Sequence, residues 1–313
     1  MNFQQMRYVR EAVRQNLNLT EAANKLHTSQ PGVSRQIKEL EDELGVEIFL
    51  RRGKRLVALS EAGKMVVTIV ERVLDETENL RQVGREFRDR ESGSLIIATT
   101  HTQARYSLPR VVTGFKRRYP DVHLALQQGS PPQLAQMVIN GDADIAIATE
   151  SLDHYPQLIA LPGYTWTHCV VVPARHALTR APRLTLQDLA RYPIITYDAA
   201  FTGRTHIDAA FAARELKPDI VLSAIDSDVI KTYVELGMGV GIVATMAFDA
   251  RRDKGLRSLA AGHLFGSNTT RVAIRRGALL RGYVYAFIEL FAPHLSRQVI
   301  EKALAGEGEL YEL

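Results

Sequence analysis

One cysteine and one tryptophan occur in 313 residues. A single thiol excludes an intramolecular disulfide and a cysteine-rich zinc module. Cys169 sits in the apolar run CVVV, which reads as buried core, not as the setting of a nucleophile. No apolar run approaches the roughly 18 to 20 residues that cross a bilayer. Arg7, Arg10 and Glu11 interrupt the stretch where a signal peptide needs an apolar segment, so the expectation is a cytoplasmic protein with no membrane partner. Enzyme signatures are missing too: there is no G-x-S-x-G elbow, no Walker loop and no G-x-G-x-x-G. GMGVG at 237–241 lacks the helix a dinucleotide site requires, and the nine histidines show no metal-ligand spacing. His101 has no nucleophile beside it. Neither a catalytic centre nor a metal or cofactor is expected.

What is present begins with charge placement. The composition, 46% hydrophobic and 24% charged, is that of a globular protein, and the length suits two or three domains. The net charge is +4, and four of the ten Lys/Arg within residues 1–59 fall at positions 51–55, a stretch without an acid. Such a run is usually only solvated surface, so its surroundings decide. Phe3, Met6, Val9 and Val13 recur at helical spacing and predict a first amphipathic helix. Thr20 is expected to cap a second, TEAANKL. In TSQPGVSRQIKELEDELG, Thr28 or Ser29 can cap, Pro31 suits the first turn, and Gly45 closes the helix. Val33, Ile37, Leu40 and Leu44 form its apolar stripe. That leaves Ser29, Gln30, Ser34, Arg35 and Lys38 on the outer side, residue types that read base edges or hold phosphates. Two helices joined by a tight turn, the second presenting its N-terminus, make a helix-turn-helix. VEIFLRRGKRLVALS then predicts a hairpin wing carrying Arg51, Arg52, Lys54 and Arg55 as contacts to the DNA backbone and minor groove.

From Ser60 the pattern stays helical to about Asp89, with Val66, Ile69, Val73, Leu80, Val83 and Phe87 at alternating heptad positions and Glu76 intruding. A lone helix with so narrow an apolar seam is expected to dimerise or lie on a neighbour, and ESGS at 91–94 reads as a linker. Beyond it, strand and helix patterns alternate (LIIATT, VHLALQQGS, ADIAIATE, HCVVVPA, PIITYD, DIVLSA, VGIVAT, RVAIRRG, and a long helix from Tyr283), the rhythm of an open, largely parallel α/β sheet. About 200 residues of it can form two lobes.

Ligands in such sheets bind beyond the carboxyl ends of the strands. Thr99, Thr100, Thr102 and Gln103 collect there, where strand gives way to helix and free N–H groups point outward. A fully ionised oxyanion such as sulfate only accepts hydrogen bonds, so neutral hydroxyls and amides suffice to hold it. Thr149, closing ADIAIAT, and Thr202, in the turn FTGR, stand at equivalent strand ends. Threonine near a strand end is nevertheless commonplace, and on chemical grounds alone packing is the commoner reason for it.

The pattern TSQPGVSRQIKELEDELGVEIFLRRGKRL, followed by ALSEAG and a long helix, resembles LysR-type transcriptional regulators along essentially the whole chain. TTHTQARYSLP, QGSPPQLAQ, GDADIAIATE, FTGRTHID, DSDVIKTYVELGMGVGIV and FAPHLSR are similar to the CysB-like subgroup, which controls sulfur assimilation. MNFQQ, NLTEAAN and RRGKRL look more like its sulfonate-utilisation and sulfate-starvation branch, while GYTWTH near the hinge departs from both branches. The resemblance implies a multidomain protein. A winged helix-turn-helix would occupy 1–59, with Pro31 joining Ser29, Gln30, Ser34, Arg35 and Lys38 at the DNA. A dimerising linker helix and hinge would follow at 60–93. A two-lobed α/β effector domain like periplasmic solute-binding proteins would span 94–313, with lobe I about 94–163 plus 270–293 and lobe II about 164–269. It also implies promoter DNA and RNA polymerase as partners, mainly activating control and a homotetrameric assembly. The expected effector is sulfate, thiosulfate, adenosine phosphosulfate, or O- or N-acetylserine, held by Thr100, Thr102, Gln103, Thr149 and Thr202. A stand-alone solute-binding protein would share the second half but has no use for the basic N-terminal segment. If the helix assignment holds, Gln30→Ala lowers discrimination between promoter and random duplex by roughly 1 to 3 kcal/mol in a competition shift assay. Replacing Arg52 instead weakens binding to every sequence and flattens its salt dependence; unchanged selectivity in the first variant refutes the assignment.

Overall fold

The computed structural model describes residues 1–53, 55–88, 92–149, 151–199, 201 and 203–307, and at 82 and 85–88 it describes the backbone. Lys54, Thr202 and the Phe87 side chain therefore lie outside the described residues. The chain divides into two compact units, Met1–Arg88 and Asp89–Leu313.

In the first unit, α1 (Phe3–Arg14) opens on a capping box in which Asn2 and Gln5 satisfy each other's backbone N–H groups. The second helix, α2 (Leu19–Lys25), is capped by Asn18 and not by Thr20: the Asn18 carboxamide accepts from the N–H groups of Thr20 and Glu21. The turn before it, with positive φ at Asn16 (50°) and Leu17 (67°), delivers Asn18 to the cap position and leaves Thr20 inside the first turn. α3 (Gln30–Leu44) begins at Ser29, whose Oγ accepts from Gly32 N–H, and ends at Gly45 with φ 68°. Val9, Ala12, Ala23, Val33, Ile37 and Leu40 form one core with Phe49, Leu56 and Val67. The apolar stripe of α3 stops at Leu40, because Leu44 in the last turn projects past that core and is 40% exposed.

Strands β1 (Phe49–Arg52) and β2 (Arg55–Leu59) pair antiparallel as the wing. α4 (Glu61–Arg88) follows, with Ser60 Oγ accepting from Gly63 N–H at its start. Val67, Val70 and Leu74 are buried against the unit's own helices, whereas Met65, Ile69, Leu80 and Val83 are 41–73% exposed. Of the heptad positions read in the sequence, Val66 and Val73 pack beside this buried stripe, while Ile69, Leu80 and Val83 stay bare.

The second unit is built on β3 (Gly93–Thr99), β4 (Val122–Gln128), β5 (Ile145–Thr149), β6 (Leu158–Pro173), β7 (Ile194–Tyr197), β8 (Ile220–Ala224), β9 (Val240–Ala244), β10 (Leu256–Ala260) and β11 (Ser267–Arg275). They run in the order β4-β3-β5-β11-β6-β9-β7-β8, with β10 also on β6. β3, β4 and β5 are parallel, as are β7, β8 and β9, but β6, β10 and β11 run antiparallel to their neighbours, so the sheet is mixed where a largely parallel one was expected. β6 serves both lobes. Residues from Leu158 to Thr167 pair with β11, and from His168 onward the strand pairs with β9 and β10.

The helices α5 (Leu108–Arg118) and α6 (Pro131–Asn140) cover the first lobe. The second lobe carries α7 (Leu186–Leu189), α8 (Arg204–Ala212), α9 (Ser227–Glu235) and α10 (Gly262–Phe265). The long terminal helix expected from Tyr283 is two: α11 (Gly282–Phe291) and α12 (Arg297–Ala305), separated where Pro293 cannot donate to a continuing helix and Ser296 caps anew. α11 buries Tyr283, Val284, Phe287 and Ile288 beneath α5 and the sheet. Cys169 is buried in β6, and that burial pushes its thiol pKa up, as inert core.

Gly63 marks a close approach: a Cβ there would stand 1.9 Å from the Ile48 carbonyl oxygen. Gly63→Ala is therefore expected to push α4 off the wing base and destabilise the first unit by about 1 to 3 kcal/mol. A thermal unfolding profile equal to wild type would contradict this packing.

Candidate functional site

The first unit offers a basic, solvent-facing surface. Ser29, Pro31, Arg35 and Lys38 are exposed on the N-terminal half of α3, and Gln30 and Ser34 are half-buried beside them. The cations are held only loosely: Arg35 lies 3.6 Å from Glu39 and Lys38 3.4 Å from Asp42, both exposed i, i+4 pairs worth a few tenths of a kcal/mol at most. A phosphate can displace such partners at little cost.

Arg51 differs from its neighbours. Its guanidinium donates at 2.6 Å to Glu41, a buried carboxylate on α3 that also accepts the N–H groups of Ile48 and Phe49 at 2.9 and 3.0 Å. Breaking that pair would strand a buried charge, so Arg51 ties the wing to α3, and the Glu41 carboxylate competes with phosphate for it. Arg52 and Arg55 face each other at the tip across the turn at Gly53, exposed and with no ion pair among the described residues. Among the described wing residues, charge is thus divided between one anchoring arginine and two exposed ones.

The second unit holds a small cleft, partly open to solvent, lined by Thr100, Thr102, Gln103, Thr149, Trp166, Tyr197, Phe201 and Ile225. Four of the five residues singled out from the sequence meet there; the fifth, Thr202, is outside the described residues. Among the described residues, none that lines the cleft carries a charge. Thr99 is not part of it, because its hydroxyl turns into the sheet and donates to the Ile147 carbonyl at 2.9 Å.

β3 ends at the cleft and the chain turns directly into helix, leaving first-turn N–H groups without intrahelical acceptors beside Thr100 and Thr102. A widened turn follows, in which Leu108 N–H donates to the Gln103 carbonyl, five residues back. The Gln103 carboxamide is buried and oriented by two partners: Tyr164 O–H donates to its Oε1 at 2.5 Å, and its Nε2 donates to Thr270 Oγ1 at 3.1 Å. The carbonyl end, which would repel an anion, is thereby occupied, while Nε2 retains a second N–H. Thr149 Oγ1 lies 3.3 Å from Thr270 Oγ1 and accepts from Trp166 Nε1–H at 3.1 Å.

Trp166, Tyr164, Thr270 and Tyr197 were not singled out from the sequence. The signal for two of them is the alternation in GYTWTH: on a strand, residues 164, 166 and 168 share a face. The register skips Gly163, with Thr270 opposite Tyr164 and Arg271 opposite Pro162, and this bulge re-aims the strand. A Cβ at Gly163 would meet Phe291 at 2.8 Å. From the other lobe, Tyr197 is buried, which raises its pKa; its oxygen pairs with Ser227 Oγ at 2.7 Å and accepts from Ala244 N–H at 2.9 Å. Among the described residues no cluster of His, Cys, Asp or Glu is placed to hold a metal ion.

Two family models account for nearly all of this. Residues 3–64 match the bacterial regulatory helix-turn-helix protein, lysR family, and residues 88–296 match the LysR substrate binding domain. The chain belongs to the LysR family of transcriptional regulators. It is accordingly a DNA-binding regulator and not an enzyme, of a family whose members take small effectors and oligomerise. Over 300 residues, 96% of this chain and 97% of the relative, it is 61% identical to the HTH-type transcriptional regulator SsuR of Burkholderia cenocepacia. It is 60% identical over 313 residues to the regulator CysB of the same organism, with 100% of each covered. The crystal structure of the cofactor-binding domain of the Cbl transcriptional regulator superposes with a TM-score of 0.66 at 49% identity, covering 68% of this chain and 93% of that one. No helix among the described residues of this LysR-type chain is long and apolar enough to cross a membrane.

His168, behind Trp166 on β6, is buried with Nε2 unpartnered; burial foremost, then the charge of His206, pushes its pKa down to about 3. An unfolded histidine binds a proton near 6.5 and the folded one refuses it, so the stabilisation is complete above that pH and is lost as pH falls toward 3. Stability of wild type is expected to fall more steeply than that of His168→Gln across this window, by up to about 1.4 kcal/mol per pH unit. Parallel slopes in denaturant titrations at several pH values would refute the assignment.

Proposed function

We propose that this protein is a cytoplasmic regulator of sulfur-assimilation genes, mainly an activator, whose grip on promoter DNA responds to a small sulfur-containing anion bound in the cleft. The observation that carries the reading is the cleft's chemistry: hydroxyls, an oriented carboxamide and helix-start N–H groups, with no charged side chain among the described lining residues. Such a lining supplies donors to a doubly charged oxyanion without adding fixed charge. The LysR-type relatives with the CysB, SsuR and Cbl names, and the likeness of several long motifs to the CysB-like subgroup, support the sulfur assignment over other anions.

In this reading Thr100, Thr102, Gln103, Thr149 and Thr202 hold the effector, with sulfate and thiosulfate the simplest candidates. Ser29, Gln30, Pro31, Ser34, Arg35 and Lys38 meet the major groove; Arg52, Lys54 and Arg55 follow the phosphates, with Arg51 placing the wing. The exposed Met65, Ile69, Leu80 and Val83 of α4 supply an apolar seam for a second copy, and pairs of dimers form a homotetramer that addresses RNA polymerase.

Thr100→Val keeps the side chain's shape and removes one donor. Calorimetry with sulfate and thiosulfate is expected to show a loss of roughly 1.5 to 3 kcal/mol relative to wild type. Equal affinities in the two proteins would take Thr100 out of the site, and absence of wild-type binding to either ion would sink the anion reading.

A further inference from the structure

Beside the cleft, outside its lining, a second set of contacts joins the lobes. The widened turn that follows Gln103 carries Arg105 and Tyr106, and both reach the start of α9 in the other lobe. Tyr106 O–H donates to Asp228 Oδ1 at 2.6 Å, and Arg105 Nε donates to Asp228 Oδ2 at 3.2 Å. His101, one residue after Thr100, has Nε2 3.2 Å from Asp226 Oδ2. Asp228 is prepared from its own side: Lys231 Nζ sits 3.1 Å from Oδ1 and is itself fixed by Asp253 and the Ala247 carbonyl. Burial by itself would raise the Asp228 pKa, yet the hydrogen bonds of Tyr106 and Lys231 and the charges of Lys231 and Arg105 hold it below the usual carboxylate range.

Two features make this more than an incidental bridge. The turn that grips Asp228 is continuous with Thr100, Thr102 and Gln103, so moving one end moves the donors. Separation of the lobes leaves the Asp228–Lys231 pair intact inside its own lobe. The bridge can therefore open without stranding a buried charge, which keeps both arrangements accessible to a ligand.

We propose that the Tyr106–Asp228 bridge, flanked by Arg105 and by the His101–Asp226 pair, is an interlobe latch: it holds the donor turn against the second lobe and thereby sets the affinity of the cleft. Tyr106 and Asp228 are positioning residues that need not touch the effector. The ligand arm of this inference rests on the anion reading given above; the closure arm does not.

Trp166 is the chain's one tryptophan and lines the cleft, so its fluorescence reports opening directly. In the full-length protein without ligand, Tyr106→Phe and Asp228→Asn are expected to make Trp166 more accessible to acrylamide. The double variant should show no more than Asp228→Asn alone, because the Tyr106 hydroxyl then has no carboxylate left to hold. Arg105→Gln, at an exposed side chain where folding is not at risk, should shift quenching in the same direction by less. Titration with sulfate should show affinity reduced roughly ten- to a hundredfold in Tyr106→Phe, in line with loss of one hydrogen bond to a charged group. Quenching equal to wild type in both Tyr106→Phe and Arg105→Gln overturns the latch. Raised quenching together with undiminished sulfate affinity overturns its role in binding. If wild type binds no sulfate while quenching still rises in the variants, the anion reading fails and the latch stands.

Discussion

The arrangement depends on one strand serving two lobes. β6 leaves the first lobe hydrogen-bonded to β11 and enters the second hydrogen-bonded to β9 and β10, with the change at Thr167 and His168. Backbone hydrogen bonds on both sides of that point forbid the lobes from drifting apart, but they leave room for a bend. The alternation of side chains along the same strand sets Tyr164, Trp166 and His168 on one face. The strand that joins the lobes is thereby also the strand that furnishes the back wall of the cleft, and any change in its curvature is felt by Gln103 through Tyr164 and by Thr149 through Trp166.

Charge is distributed with the same economy in both units. Around the cleft the lining is neutral, and the ionic groups stand outside it, where His101, Arg105, Asp226, Asp228 and Lys231 link the lobes. A carboxylate in the lining would repel an anion, and a fixed cation would hold any anion alike; hydrogen-bond geometry discriminates better. In the DNA-binding unit the buried Glu41 gathers two backbone N–H groups and Arg51, which sets the wing against α3 and leaves Arg52 and Arg55 outside. A single acid at that position does for the wing what Tyr164 does for Gln103: it orients a neighbour by occupying one of its hydrogen-bonding ends.

Much of this was legible because it follows from local rules. Ser29, Pro31 and Gly45 delimit α3 as their capping chemistry dictates. Thr100, Thr102, Gln103 and Thr149 come together because each stands at a strand end, and parallel strands deliver their ends to the same edge. Where local rules compete, the reading slipped. Asn18 and Thr20 are both capping residues, and the turn that precedes α2 selects Asn18. The apolar residues around Pro293 read as one helix, although the missing N–H splits it. In α4 the heptad positions Val66 and Val73 pack beside Met6 of α1 while Ile69, Leu80 and Val83 stay bare, and a period of 3.5 cannot tell a residue used within the unit from one left for a partner.

By itself, the order of residues settled where α3 begins and ends, that basic charge clusters at positions 51–55, and that neutral donors gather at strand ends. These depend on neighbours a few positions apart. Only the tertiary structure decided that Arg51 is bound to Glu41, that Gln103 presents its nitrogen because Tyr164 holds its oxygen, and that Tyr106 meets Asp228 122 positions away. Each of those is a choice of hydrogen-bond partner made in three dimensions, and a partner far along the chain leaves no periodicity for a sequence to display.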